Sequence, residues 1–190
     1  MIAASALSEL IEKISAKDDL AAYKKLFVHY HHRLTQFSFS ITSNKESAEE
    51  VVSDVFINIW NKRKTLHQID NLHLYLYVST KNLSINYLQK QNRNRSFSLE
   101  ESNVELSSIY FDPEQMMITA EMFRRLNLAI QELPPKCRLI FKLIKEDGLS
   151  YKEVAHLLQL SPKTIENQMT IALKKIGHSI SFDIKKAISF

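Results

Sequence analysis

The chain has 190 residues, enough for one large or two small domains, and carries a formal charge of +4. Two glycines and four prolines leave little material for β-turns, whereas helix formers such as Leu, Lys, Glu and Gln are plentiful, so an all-α protein is expected. Cys137 is the only cysteine and excludes an intrachain disulfide. No apolar run reaches membrane-spanning length, so a soluble, cytoplasmic chain is expected, and the mild positive charge suits a polyanionic partner without establishing one.

In chain order, Ser5 to Ser15 forms a short amphipathic segment through Leu7, Leu10, Ile11 and Ile14 that declares no role. Asp18-Asp19 then cap a long core helix with Tyr23, Phe27, Tyr30, Leu34, Phe37 and Ile41 at helical spacing. His29, His31 and His32 cluster on it. Only His29 and His32 fall near one face, and no cysteine or carboxylate joins them, so solvated or hydrogen-bonded histidines are the better reading than a metal site. Asn44 opens the next helix, whose apolar stripe is Ala48, Val51, Val52, Val55, Phe56, Ile59 and Trp60. Its opposite face, with Glu46, Glu50, Asp54, Asn58 and Asn61, is either simply solvated or a docking surface for a protein.

A third long helix runs from Asn71 to about Gln91. It mixes Tyr75, Tyr77 and Tyr87 with Asn82, Asn86, Gln89 and Lys90, and leads to Arg93 and Arg95. Rings interleaved with amides and bases can stack unpaired bases and hold the adjoining phosphates; a core helix with half-buried tyrosines is an equal reading of the same residues. From 93 to 117 the periodicity is lost and Ser, Asn and Glu accumulate, which marks a linker between a first domain over 1–92 and a second over 118–178. Helix signals resume with Phe123, Leu126, Ile130 and Leu133, and Pro134-Pro135 ends that helix. Another runs from Pro135 to Asp147 and stops at Gly148.

Leu149 to Ile176 is the most informative stretch. Ser150 with Glu153 forms a capping box for a short helix with apolar face Val154, Leu157 and Leu158, and Ser161 with Pro162 opens a second helix a few residues later. The second helix is expected to bury Ile165, Met169, Ala172, Leu173 and Ile176 and to leave Lys163, Glu166, Asn167, Thr170 and Lys174 outside. A capped helix with a polar outer face, braced by a shorter one, is the helix-turn-helix that enters a DNA major groove, and it completes a four-helix C-terminal domain. Cys137 reads as a small core residue. Residues 179–190 alternate apolar side chains without a clear element and are expected to be a tail.

The order of these parts resembles the sigma-70 family of RNA polymerase sigma factors, in its small extracytoplasmic-function (ECF) group. Ala48-Glu49-Glu50-Val51-Val52-Ser53-Asp54-Val55-Phe56 through Trp60 resembles the region-two signature, and Tyr75-Leu76-Tyr77 with Asn82 and Asn86-Tyr87-Leu88 the promoter-melting helix. Leu133-Pro134-Pro135-Lys136 and Gly148 to Ala155 are similar to the opening of region four, and Ser161-Pro162-Lys163-Thr164-Ile165 with Ala172-Leu173-Lys174-Lys175 to its recognition helix. Ser53 stands where the family usually has glutamine, and Glu166 where basic or small polar residues are frequent.

The resemblance implies that Glu50, Ser53, Asp54 and Asn58 dock on core RNA polymerase. It implies that Tyr75, Asn82, Asn86, Gln89, Lys90 and Arg93 hold the separated strand at the minus-ten element of promoter DNA. Ser161, Lys163, Thr164, Glu166, Asn167, Thr170 and Lys174 would meet the minus-thirty-five element, with Ser161, Lys163 and Lys174 nearer the phosphates. It also implies an anti-sigma factor as a partner, and neither cofactor nor metal. The alternative is a helix-turn-helix regulator that binds duplex DNA without sigma activity. The basic end of the aromatic-amide helix disfavours it, since a ligand or dimerisation domain has no need of one. A helical scaffold without nucleic acid is disfavoured by the two caps and the polar recognition face together. No nucleophile-base pair, carboxylate dyad or Gly-rich phosphate loop appears, so an enzyme is not expected.

Overall fold

Caps set the helix boundaries. The computed structural model describes residues 4–91 and 120–188, and side chains over 6–90 and 124–179. The chain divides into two units, Met1–Ser98 and Leu99–Phe190, with the division inside the expected linker; residues 93–117 themselves lie outside the described residues.

The first unit begins with α1 (Ala4–Lys17) and α2 (Leu20–Thr42). The Asp19 carboxylate accepts from the backbone N–H of Ala21 and Ala22 at 2.8 and 3.0 Å, which satisfies two of the donors left open at the start of α2. Ser43, in the left-handed region at φ 54°, closes α2. Asn44 then caps α3 (Lys45–Asn61) by accepting from Ser47 N–H at 2.8 Å. A 3-10 helix, Arg63–Gln68, carries the chain to Asn71, whose side chain accepts from Leu74 N–H at 2.9 Å and opens α4 (Leu72–Gln91).

Helices α2, α3 and α4 pack on one another, and α1 lies against α2 and the 3-10 helix. The shared core takes Leu26, Tyr30, Leu34, Phe37 and Ile41 from α2, and Val51, Val52, Val55, Phe56 and Ile59 from α3. Leu72, Leu76 and Tyr77 of α4 complete it. Each such side chain contributes about 1.5–3 kcal/mol on leaving water. Tyr23 and Phe27, expected in this core, are only half-buried; Ala22 and Leu26 occupy the centre of the stripe instead. Where α2 and α4 meet, buried Ser38 and Ser84 share a hydrogen bond at 2.8 Å, so neither hydroxyl is left unpaired in the apolar interface.

The second unit contains α5 (Ala120–Gln131), α6 (Pro135–Lys145), α7 (Tyr151–Leu158) and α8 (Pro162–Ile188). Helix α8 is its centre: α5, α6 and α7 all pack on it. Ile130, Leu133, Leu139, Ile140, Leu143, Val154, Leu157, Ile165, Met169 and Ala172 form the core. Cys137 is buried, as expected of a small core residue, and its thiol donates to the Gln168 carbonyl at 3.2 Å. Phe123, expected on the apolar side of α5, lies outside the described side chains.

Two expectations are corrected here. Residues 179–188 are not a separate tail but continue α8 without a break. Nothing after Pro162 stops the helix, and once nucleated a helix extends cheaply, so Gly177 in its interior lowers propensity without ending it. Leu173 is 51 % exposed, not buried. The buried stripe of α8 is narrow, and Leu173 sits at its flank beside Met169 and Ala172.

Candidate nucleic-acid interface

Ser150 and Glu153 form the reciprocal box read from the sequence: the Glu153 carboxylate accepts from Ser150 N–H at 2.6 Å, and the Ser150 hydroxyl from Glu153 N–H at 3.3 Å. Helix α7 ends at Gln159, held in the left-handed region at φ 55°, and this reversal is the turn of the helix-turn-helix. Ser161 then starts α8 by accepting from Thr164 N–H at 3.0 Å, while the Ser161 and Thr164 hydroxyls pair at 2.8 Å. The caps fix the rotational phase of α8. Ile165, Met169 and Ala172 turn inward, and Lys163, Glu166, Asn167, Thr170 and Lys174 all stand exposed on the other side.

Within that face, Lys163 and Glu166 form an ion pair at 3.2 Å, both well exposed, which makes it worth only a few tenths of a kcal/mol. A pair this weak can open for a phosphate and a base edge at little cost. The Thr170 hydroxyl donates to the Glu166 carbonyl at 2.9 Å and keeps its lone pairs to accept from a partner. Helix α7 adds exposed Lys152 and His156, spaced by four residues on its outer side, which the sequence reading did not single out. Their i, i+4 spacing outside the Val154, Leu157 and Leu158 stripe is the signal that would have found them.

On α4, Asn82, Asn86, Gln89 and Lys90 are exposed along one side, below half-buried Tyr75 and Tyr87. Tyr77 does not share that face. It is fully buried, with ring centroids 5.3 Å from both Phe37 and His73, and belongs to the core. The aromatic content of α4 is therefore divided between core and surface. Arg93 and Arg95 lie outside the described residues.

On α3, Glu50, Ser53, Asp54 and Asn58 are all exposed on one stripe, with the Ser53 hydroxyl donating to the Glu49 carbonyl at 2.8 Å. Between them stands Ile57, 56 % exposed. An uncovered isoleucine ringed by acids and amides has the composition of a docking surface, apolar at its centre and polar at its rim. It was legible as the one apolar residue outside the stripe of α3.

The three histidines of α2 do not converge. His29 is half-buried, His31 lies beside Phe27 at a ring separation of 4.7 Å, and His32 shares a hydrogen bond with Gln36 at 3.1 Å. Among the described residues, no three side chains of His, Cys, Asp or Glu come together to hold a metal ion, and no helix is long and apolar enough to cross a membrane.

Comparisons with known proteins agree with this division. The family model for sigma-70 region 2 matches residues 26–94 and that for sigma-70 region 4 matches residues 123–176, together more than half of the chain. The chain is 25 % identical over 178 residues to the ECF RNA polymerase sigma-E factor of Escherichia coli strain K12, covering 90 % of this chain and 92 % of that protein. It is 22 % identical over 150 residues to the ECF RNA polymerase sigma factor SigE of Mycolicibacterium smegmatis, covering 79 % of this chain and 58 % of that one.

Among solved structures, the sigma factor RpoE bound to the anti-sigma factor NepR from Bartonella quintana shares the fold with a TM-score of 0.52 at 21 % identity. That match covers 86 % of this chain and 99 % of RpoE. CnrH in complex with the cytosolic domain of CnrY gives a TM-score of 0.50 at 20 % identity, covering 94 % and 99 %. With region two on the unit of α1 to α4, region four on the unit of α5 to α8, and sigma-E relatives matching nearly end to end, the chain belongs to the sigma-70 family of RNA polymerase sigma factors, in its ECF group.

Proposed function

We propose that this chain directs core RNA polymerase to specific promoters through three separate surfaces. The outer face of α3, with Glu50, Ser53, Asp54 and Asn58 around Ile57, docks on the polymerase. The exposed side of α4, with Tyr75, Asn82, Asn86, Gln89 and Lys90 and continuing to Arg93, holds the separated strand of the minus-ten element by stacking and amide hydrogen bonds. The outer face of α8 enters the major groove at the minus-thirty-five element. There Asn167 and Glu166 face base edges, Thr170 accepts beside them, Thr164 adds a contact, and Ser161, Lys163 and Lys174 lie nearer the phosphates.

The observation that carries this reading is the coincidence of all five outward residues of α8 on a helix whose phase is set by its own cap. No catalysis is asked of the chain, because the polymerase supplies it, and the protein works in the cytoplasm beside the chromosome. Two solved structures of similar fold hold an anti-sigma factor or the cytosolic domain of a second protein, which supports an inhibitory protein partner here too.

The test is transcription in vitro. Purified protein added to core polymerase is expected to start transcripts at promoters that core alone ignores, while a duplex-binding regulator would give none without another sigma factor. In the same assay Asn167→Ala is expected to lose about 1–3 kcal/mol of upstream-element recognition. Its affinity for core polymerase should stay at the wild-type value; a fall in that affinity would mean the faces are misassigned.

A further inference from the structure

Asp18 ends α1 in the left-handed region, at φ 53°. Its carboxylate accepts from Arg63 Nε at 2.5 Å and from Lys64 Nζ at 2.8 Å, so one side chain in the turn before α2 binds both cations that open the 3-10 helix. Arg63 is itself held from three sides. It donates to the Trp60 carbonyl at 2.9 Å, and its guanidinium lies 4.5 Å over the Trp60 ring. Beneath this cluster Ile14 of α1 and Leu66 of the 3-10 helix are both fully buried. The 3-10 helix is thereby tied at its start to the turn after α1 and packs on α1, and the chain then runs through Ile69 and Asp70 to the Asn71 cap of α4.

Backbone conformation alone does not call for an acid here. Glycine or asparagine occupies the left-handed region at least as readily as aspartate, so the turn would be satisfied by either. Only the carboxylate pairs Arg63 and Lys64. Exposed pairs of this kind add little to folding stability, and Asp18 and Lys64 are 43 % and 59 % exposed at the side chain. A carboxylate shared by two cations, one of them stacked on an indole, ties the start of the 3-10 helix to the turn before α2.

We propose that Asp18 is a positioning residue for promoter opening: it holds the connector that sets where α4 begins, and so where the strand-holding side chains of α4 meet DNA. This rests on the reading of α4 as the helix that holds the separated strand. Docking on polymerase uses the outer face of α3 and has no need of the carboxylate.

The experiment compares wild type with Asp18→Asn and Asp18→Gly, both compatible with the turn, as full-length protein on core polymerase. It measures affinity for core, the closed-complex constant, and the rate at which promoter thymines become reactive to permanganate. Both variants are expected to keep wild-type thermal stability, core affinity and closed-complex constant, and to open the promoter about tenfold more slowly. A turn residue of merely structural importance predicts instead that glycine performs as well as aspartate.

Wild-type opening rates in Asp18→Asn and Asp18→Gly overturn the inference alone, as does a loss of core affinity in step with opening. If the wild-type holoenzyme opens no promoter, the reading of α4 fails first and takes this inference with it.

Discussion

His29 lies half-buried on α2. Burial first, and then the positive charge of Arg33 and of His73, push its imidazole from the ordinary 6.5 down to about 4. The folded chain therefore binds this proton more weakly than the unfolded chain, which takes it up near pH 6.5. Stability from this group is complete above pH 6.5 and is lost as pH falls from there toward 4. The urea midpoint is expected to decline through that window, and His29→Gln to flatten the decline; an unchanged slope in the variant would remove His29 as its source. Single residues were unevenly legible. Asn167 and Lys174 were readable as outward because the Ser161 cap sets the phase of α8. Tyr77 was not, since an aromatic at helical spacing suits a core and a stacking platform equally, and only the packing of α2 against α4 assigns it.

Between α6 and α7 the chain turns around a buried cation. Lys142, 2 % exposed at the side chain, lies 3.3 Å from carboxylate oxygens of both Glu146 and Asp147, themselves 10 % and 1 % exposed. Asp147 N–H bonds back to the Lys142 carbonyl at 3.0 Å, Leu149 N–H to the Leu143 carbonyl at 3.0 Å, and Gly148 takes φ 78°, where a side chain would be strained. Lys142→Met would leave two carboxylates buried without their cation. It is expected to destabilise the second unit by about 3–5 kcal/mol, read from the urea midpoint; a loss under 1 kcal/mol would mean that water already screens the group. At this scale the caps were legible, because they are local patterns within four residues. The ion cluster was not: Lys142 to Gly148 reads as an ordinary polar helix end until the folded unit buries it.

Each of the two units has its own core. A fragment of residues 1–98 is accordingly expected to fold and to bind core polymerase with nearly the affinity of the full chain, while losing preference for promoters with an upstream element. A fragment that binds core more than about a hundredfold more weakly, a deficit of about 2.7 kcal/mol, would show that the second unit supplies a large part of the docking energy. The order of the long helices was readable in advance, since it follows from apolar periodicity interrupted by caps and prolines, whereas regions two and four were readable only through the resemblance of their motifs to the family.

What the sequence determined by itself was what depends on near neighbours in the chain. It set the all-α class, the helix starts at Asp19, Asn44, Ser150 and Ser161, the polar faces of α3 and α8, and the motifs that carry the family resemblance. Tertiary structure alone decided which half of each mixed face is covered: Tyr77 inside and Leu173 outside, Lys142 sealed with two carboxylates, and Asp18 joined to Arg63 and Lys64 across 45 and 46 residues. Periodicity specifies a direction around a helix axis, but burial depends on what another helix brings to that direction, and that is fixed only when the helices pack.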